Sequence, residues 1–135
     1  MMIVSACLAG YPCRYDGKSN ERAEIVALVK TGKAIPVCPE QLGGLRTPRP
    51  PCEIQNGRVV DAEGHDMTEA FLKGAKATLA IAQKYEAEEA RFKSRSPSCG
   101  SGWIYDGSFS QTLTLGDGVT AKLLKENGIH VKDTD

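Results

Sequence analysis

The sequence predicts a single-domain α/β protein, a three-layer Rossmann-like fold with a mainly parallel sheet, spanning residues 1 to 135. Three observations carry this expectation. Short apolar or β-branched runs alternate with segments whose apolar residues recur at helical spacing, the pattern of β-α-β units with right-handed crossovers and helices on both faces. A chain of 135 residues with 41% hydrophobic content supports one core and does not call for a second domain. Turns rich in Gly, Pro or Ser follow the strand-like runs, as at the carboxyl rim of an open parallel sheet.

The elements follow in order. Residues 2 to 6 read as a buried strand, and Cys7 to Gly17 as an irregular loop carrying Gly10, Pro12 and Gly17. A helix is expected from about Asn20, capped by Ser19 or Asn20, with Ile25, Leu28 and Val29 on one face and Gly32 as its stop. Ala34 to Val37 is the second strand. The Gly- and Pro-dense stretch from Gln41 to Pro51 is expected to lack regular structure. Glu53 to Asp61 reads as an extended excursion turning at Asn56-Gly57. Asp66 and Glu69 have capping-box spacing before Phe71, Ala75, Leu79 and Ala82, which predicts the longest helix, ending near Glu88. A third strand at Ala90 to Lys93, a short apolar run at Trp103 to Tyr105, a helix through Val119, Leu123 and Leu124 closed by Asn127-Gly128, and a strand at Ile129 to Val131 complete the chain.

Composition narrows the function. With 17 basic and 17 acidic side chains the net charge is zero, so no global field draws the protein to a nucleic-acid backbone or an anionic membrane. A small ligand is the better expectation, and intact nucleic acid is not expected. No segment has the apolar length of a membrane span, and the opening residues lack the pattern of an export signal, so a cytoplasmic protein is expected. An odd number of cysteines, five, in a reducing compartment favours free thiols or metal ligands over disulfides. There is no C-x-x-C pair, so any metal ligands must be gathered from distant segments.

Cys7, Cys38 and Cys99 each lie at or just beyond a strand-like run. If those strands are neighbours, three soft sulfurs meet on one rim, a metal site one ligand short, which leaves a position for water or substrate. Cys13 is either a fourth ligand or a spare thiol, and Cys52 reads as a small buried hydrophobe. His65 and His130 read as ordinary residues away from the site. Glu40, two residues past Cys38, is a candidate general acid or base. Ser96 and Ser98 flank Pro97 just before Cys99 and are candidate hydrogen-bond donors to substrate or a developing anion; spacing does not choose between them. Arg46 and Arg49 are candidates to hold an anionic group, and Lys93 to shift the pKa of a neighbouring thiol. No G-x-G-x-x-G or Walker pattern is present.

Taken together, Ser5-Ala6-Cys7-Leu8-Ala9-Gly10 with Cys13-Arg14-Tyr15-Asp16-Gly17, Pro36-Val37-Cys38-Pro39-Glu40-Gln41-Leu42-Gly43-Gly44 with Thr47-Pro48-Arg49-Pro50-Pro51, and Ser96-Pro97-Ser98-Cys99-Gly100 with Ile104-Tyr105-Asp106-Gly107 resemble the thiouracil desulfurase family over nearly the whole chain. The resemblance implies a [4Fe–4S] cluster held by Cys7, Cys38 and Cys99, with one iron not bound by protein and free to take the sulfur of a thiolated pyrimidine such as 2-thiouracil. It implies a non-redox desulfuration that exchanges C=S for C=O, with Glu40 and Ser96 catalytic, the serine assignment being able to slip to Ser98, and with Ser98 and Arg49 as substrate contacts. Two other classes stand beside it. One is a non-catalytic metal-binding or sulfur-carrier module, and the other a cluster-free thiol enzyme with Cys7 or Cys99 as nucleophile.

Overall fold

The computed structural model describes residues 1–135. Four strands, β1 (Met2–Ser5), β2 (Ala34–Val37), β5 (Glu89–Lys93) and β8 (His130–Thr134), form one sheet in the order β2-β1-β5-β8, every neighbour parallel. Two antiparallel hairpins lie outside it: β3 (Cys52–Gln55) with β4 (Arg58–Asp61), and β6 (Trp103–Tyr105) with β7 (Leu113–Leu115). The helices are α1 (Ala23–Lys30), α2 (Pro39–Leu42), α3 (Thr68–Lys84) and α4 (Val119–Glu126), with a single 3-10 turn at Ala6–Ala9.

Alternation along β1 explains the layers. Ile3 points to one face, where it packs with Ala90, Phe92 and Val131 under Ala82 of α3 and Ala121 and Leu124 of α4. Val4 points to the other and meets Ala34, Leu8 and Ile25 of α1. Period-two alternation in a strand covered on both sides requires helices on both faces, and the chain supplies them. The chain crosses from β1 to β2 on one side and then from β2 past β1 to β5 on the other, so β1 and β5 flank the topological switch point at the carboxyl ends of the strands.

Local departures from the sequence expectations have identifiable causes. The first helix begins at Ala23, not near Asn20, because the Asn20 and Arg22 N–H groups donate to Cys7 O and Leu8 O instead of to a helical cap. The loop expected from Cys7 begins as a 3-10 turn closed by Gly10 at φ 96°. Residues Gln41 and Leu42, expected to be irregular, belong to α2, which Pro39 opens at a position where its missing N–H costs nothing. The capping box does not form: Met67 occupies the cap, and Asp66 accepts the Thr68 N–H from one residue further out. The long helix ends at Lys84 rather than near Glu88, since Glu86 turns left-handed at φ 54° and the Ala87 N–H returns to Ala82 O. The strand at Trp103–Tyr105 forms, but it pairs with β7 outside the main sheet.

One packing contact sets the position of α2. A Cβ on Gly43 would lie 2.0 Å from Ala70 O, and one on Gly74 would lie 1.8 Å from Pro39 O, so α2 rests backbone to backbone on α3. Two effects oppose each other in Gly74→Ala. Helix propensity favours alanine by about 1 kcal/mol. The clash is with a backbone carbonyl that cannot rotate away, and overpacking of this kind costs about 1–3 kcal/mol or more. The clash wins: Gly74→Ala is expected to lower the thermal midpoint by roughly 5–10 °C. A midpoint unchanged or raised in a melting experiment contradicts the close approach.

Candidate active site

A cleft of about 500 Å³ opens at the carboxyl ends of β1, β2 and β5, and all five cysteines line it. Cys7 reaches it from the 3-10 turn after β1, Cys38 from the residue that caps α2 after β2, and Cys99 from the turn beyond β5. Glu40, Arg49, Ser96 and Ser98 line the same space, together with Cys13, Lys93 and Asn20. Arg46 does not line it, and neither histidine does.

The thiols form two groups. Cys13 lies between Cys7 and Cys38, hydrogen-bonded to both, and Cys38 Sγ also contacts Cys13 O at 3.8 Å. Cys99 sits apart, contacted by Ser98 Oγ at 3.6 Å and by the Ser5 hydroxyl. The hydrogen bond to Cys38 pulls the Cys13 thiol down, but the bond to Cys7 and burial outweigh it and carry it up to about 11. The hydrogen bond to Cys13 and then burial push Cys38 up further. Burial pushes Cys99 up to about 12 against the pull of Ser5. Without a metal these three thiols are protonated at neutral pH, so metal binding must release their protons and strengthens as pH rises.

Ligands of one tetrahedral zinc lie about 4 Å from one another, given a Zn–S bond of about 2.3 Å. No trio of these sulfurs falls within 4.8 Å of one another; the trio that does is Asp61, Glu63 and His65 at the exposed β4 end. Three soft donors spread around a cleft, each free to take a different metal atom, suit a polynuclear iron–sulfur group better than a single ion. Asn20 Nδ2 on the cleft wall is buried with no partner, a donor with nothing yet to bond.

Glu40 is fully engaged. Arg49 Nε donates to Glu40 Oε1 at 2.9 Å, and Ser98 Oγ lies 2.9 Å from Oε2. Side-chain exposure is 6% for Arg49 and 14% for Glu40, so the ion pair is nearly out of water. Arg49 also donates from Nη1 to Arg46 O and Thr47 Oγ1 and from Nη2 to Cys13 O. Of a guanidinium's five N–H groups, that leaves one, on Nη2, without a protein acceptor.

The serine directions follow from proton counting. A carboxylate oxygen only accepts, so Ser98 spends its one hydroxyl proton on Glu40. Ser96 is therefore the donor in the 2.9 Å bond between the two hydroxyls. Ser96 Oγ accepts in turn the N–H groups of Ser98 at 3.1 Å and Cys99 at 3.0 Å. The result is a directed chain, Ser96 to Ser98 to Glu40, in which Ser98 is buried and Ser96 is the half-buried outer member. The turn that carries it is clamped by α4, whose first N–H groups donate to Pro97 O and Ser98 O, and by Gly118, where a Cβ would meet Ser98 C at 2.6 Å.

Among the cleft residues that the sequence did not mark out are Glu53, Tyr105, Phe109 and Gln111. Only the Tyr105-Asp106-Gly107 motif hinted at that wall. Cys52, read as a buried hydrophobe, does pack with Val59 and Phe71, yet it also borders the cleft.

A parallel α/β domain that gathers thiols, a paired carboxylate and hydroxyls at its topological switch point has the architecture of a small-molecule site. The sequence profile of the 2-thiouracil desulfurase family matches residues 2–135. The uncharacterized protein YbbK of Bacillus subtilis (strain 168) is 45% identical over 141 residues, covering 97% of this chain and 93% of its own. The solved structure of a [4Fe–4S]-dependent thiouracil desulfidase, TudS, superposes with a TM-score of 0.94 at 45% identity, covering 99% of this chain and 90% of its own. The chain belongs to the 2-thiouracil desulfurase family.

Removing Arg49 orphans a nearly buried carboxylate. Arg49→Ala is expected to cost about 3 kcal/mol in urea unfolding, with part of that loss recovered in the Arg49→Ala/Glu40→Ala double variant. A loss under about 1 kcal/mol places the pair among ordinary surface contacts.

Proposed function

We propose that the protein is an iron–sulfur-dependent desulfidase that replaces the C=S of a small thiolated pyrimidine, of the 2-thiouracil type, by C=O and releases sulfide. The observation that carries this is the gathering of Cys7, Cys38 and Cys99 with Glu40 and two serines on one rim, in a chain that superposes closely on a [4Fe–4S]-dependent desulfidase. Cys7, Cys38 and Cys99 would hold the cluster. When bound, the [4Fe–4S] cluster supplies a soft Lewis-acidic iron, not bound by protein, for the thiocarbonyl sulfur.

The chain's own residues supply the rest. Glu40 acts as general base, taking a proton from the water that attacks the thiocarbonyl carbon; each of its oxygens retains a lone pair beyond the Arg49 and Ser98 bonds. Arg49 fixes the carboxylate and keeps its one uncommitted N–H for a substrate acceptor. Ser96, the outer hydroxyl, faces the substrate, and Ser98 links it to Glu40; once Oε2 has gained a proton the chain reverses, Oε2 donating to Ser98 and Ser98 to Ser96, which frees the Ser96 proton for the departing sulfur. The balance is one thiocarbonyl and one water in, one carbonyl and one hydrogen sulfide out, with no electron transferred.

The raised thiols argue against a cluster-free cysteine nucleophile, which requires a lowered pKa, for Cys13, Cys38 and Cys99 alike. A cleft of about 500 Å³ suits a single ring or nucleoside rather than a polymer. No helix of the structure is long and apolar enough to cross a membrane.

Anaerobically reconstituted protein incubated with 2-thiouracil in 18O-labelled water is expected to release one sulfide per uracil formed, with one labelled oxygen in the uracil. Glu40→Gln, at matched iron content, is expected to slow this by about 100-fold or more. Wild-type protein that releases no sulfide from thiolated pyrimidines, or a Glu40→Gln variant as fast as wild type, overturns the reading.

A further inference from the structure

The connection between β6 and β7, residues 106–112, forms the cleft wall that the chemistry above leaves unused. Phe109 and Gln111 line the cleft from this segment, and Tyr105 lines it from the strand that leads in. The segment is pinned from beneath. Glu53 on β3, only 8% exposed, accepts the N–H groups of Gly107 at 3.0 Å and Phe109 at 3.2 Å on the same oxygen, Oε1. Gln55 Nε2 donates to Gly107 O at 2.5 Å. Gly107 sits at φ 93°, and a Cβ there would lie 2.6 Å from Ile54 O, so the turn is seated directly on the β3 backbone.

Phe109 and Gln111 adopt φ values of 55° and 61°. That region disfavours residues with side chains, and glycine would enter it freely. Departures of this kind cluster at ligand sites, where the surrounding structure holds them in place. At Phe109 the holding group is Glu53, and both positive-φ residues line the cleft. Phe109 is 36% exposed and lines the cleft. The Gln111 amide has no protein partner, and neither does Glu53 Oε2.

A partly exposed aromatic and an uncommitted amide, two residues apart on one cleft wall, match a planar heterocycle with an edge of alternating N–H and C=O groups. The ring stacks on the aromatic, and the amide pairs with one N–H and one carbonyl of the edge, as carboxamides do with base edges. Resting on the function proposed above, we propose that residues 106–112 are the ring-recognition wall of the site. Phe109 stacks on the pyrimidine, Gln111 reads its N–H/C=O edge, and buried Glu53 is the positioning residue that holds Gly107 and Phe109. The ring then lies in the cleft that this wall shares with Glu40 and the thiols.

Uracil is the probe, because it carries the ring and lacks the reacting sulfur. Calorimetric titration of cluster-loaded protein is expected to show uracil binding that weakens about tenfold or more in Phe109→Ala, the scale of one lost base–aromatic stack. Phe109→Tyr is expected to restore it, and Gln111→Leu, similar in size without the amide, is expected to weaken it about tenfold. Iron and labile sulfide stay at the wild-type level in all three; KM for 2-thiouracil rises in Phe109→Ala and Gln111→Leu with kcat within about threefold, and stays near the wild-type value in Phe109→Tyr. Wild type that does not bind uracil, or Phe109→Ala and Gln111→Leu variants that bind within twofold of wild type, overturns the recognition wall whatever the turnover. Wild type that binds uracil in a Phe109-dependent way yet releases no sulfide from 2-thiouracil upholds the wall and sinks the desulfidase reading instead.

Discussion

The nearly buried ion pair between Glu40 and Arg49 is the contact through which the site is assembled. Arg49 ties its own loop to two other segments: its guanidinium meets Glu40 on α2 and Cys13 O in the first loop, and its backbone N–H donates to Tyr15 O of that same loop. A buried ion pair is weak evidence for stability, since an apolar pair of equal volume often serves the fold as well or better. The arrangement is understood more readily as a device for fixing a carboxylate beside the thiols, with Oε1 anchored and Oε2 turned to the serines.

The scaffold repeats one tactic around that carboxylate. Glycines let backbone approach backbone where a side chain would hold elements apart: Gly43 and Gly74 seat α2 on α3, Gly118 and Gly100 lock the serine turn, and Gly107 seats the 106–112 wall on β3. Each of these contacts involves backbone that carries a cleft residue. Backbone-to-backbone seating removes rotamer freedom from the support, so the groups that must be placed accurately rest on the least compliant parts of the structure. The sheet beneath adds its own constraint, because parallel strands all deliver their following turns to the same rim.

The sequence disclosed the scaffold better than the wall. The short apolar run at Met2–Ser5 and the apolar spacing of Phe71, Ala75 and Ala82 are local signals, and the strand and helix they predict form. Boundaries failed where long-range hydrogen bonds compete with local preference, as at Asn20, whose N–H goes to Cys7 O, and at Met67, which takes the cap that spacing assigned to Asp66. The gathering of Cys7, Cys38 and Cys99 followed from strand-end positions, and the structure places all three in one cleft. Which serine faces Glu40 did not follow from spacing, because Ser96 and Ser98 differ only in how the Pro97 turn aims them. Glu53, Phe109 and Gln111 were invisible for a related reason: two hairpins that pair outside the main sheet bring them to the cleft, and β7 carries little strand signal beyond Leu113 and Leu115.

The central claim is that the rim holds a polynuclear iron–sulfur group and not a single ion. Iron, acid-labile sulfide and zinc per chain, measured after anaerobic purification and reconstitution of wild type and of Cys7→Ser, Cys38→Ser and Cys99→Ser, test it most directly. The account predicts about four irons with matching sulfide in the wild type, and loss or lability of that content in each of the three variants. One zinc per chain, or no metal under conditions that reconstitute a known iron–sulfur protein, contradicts it.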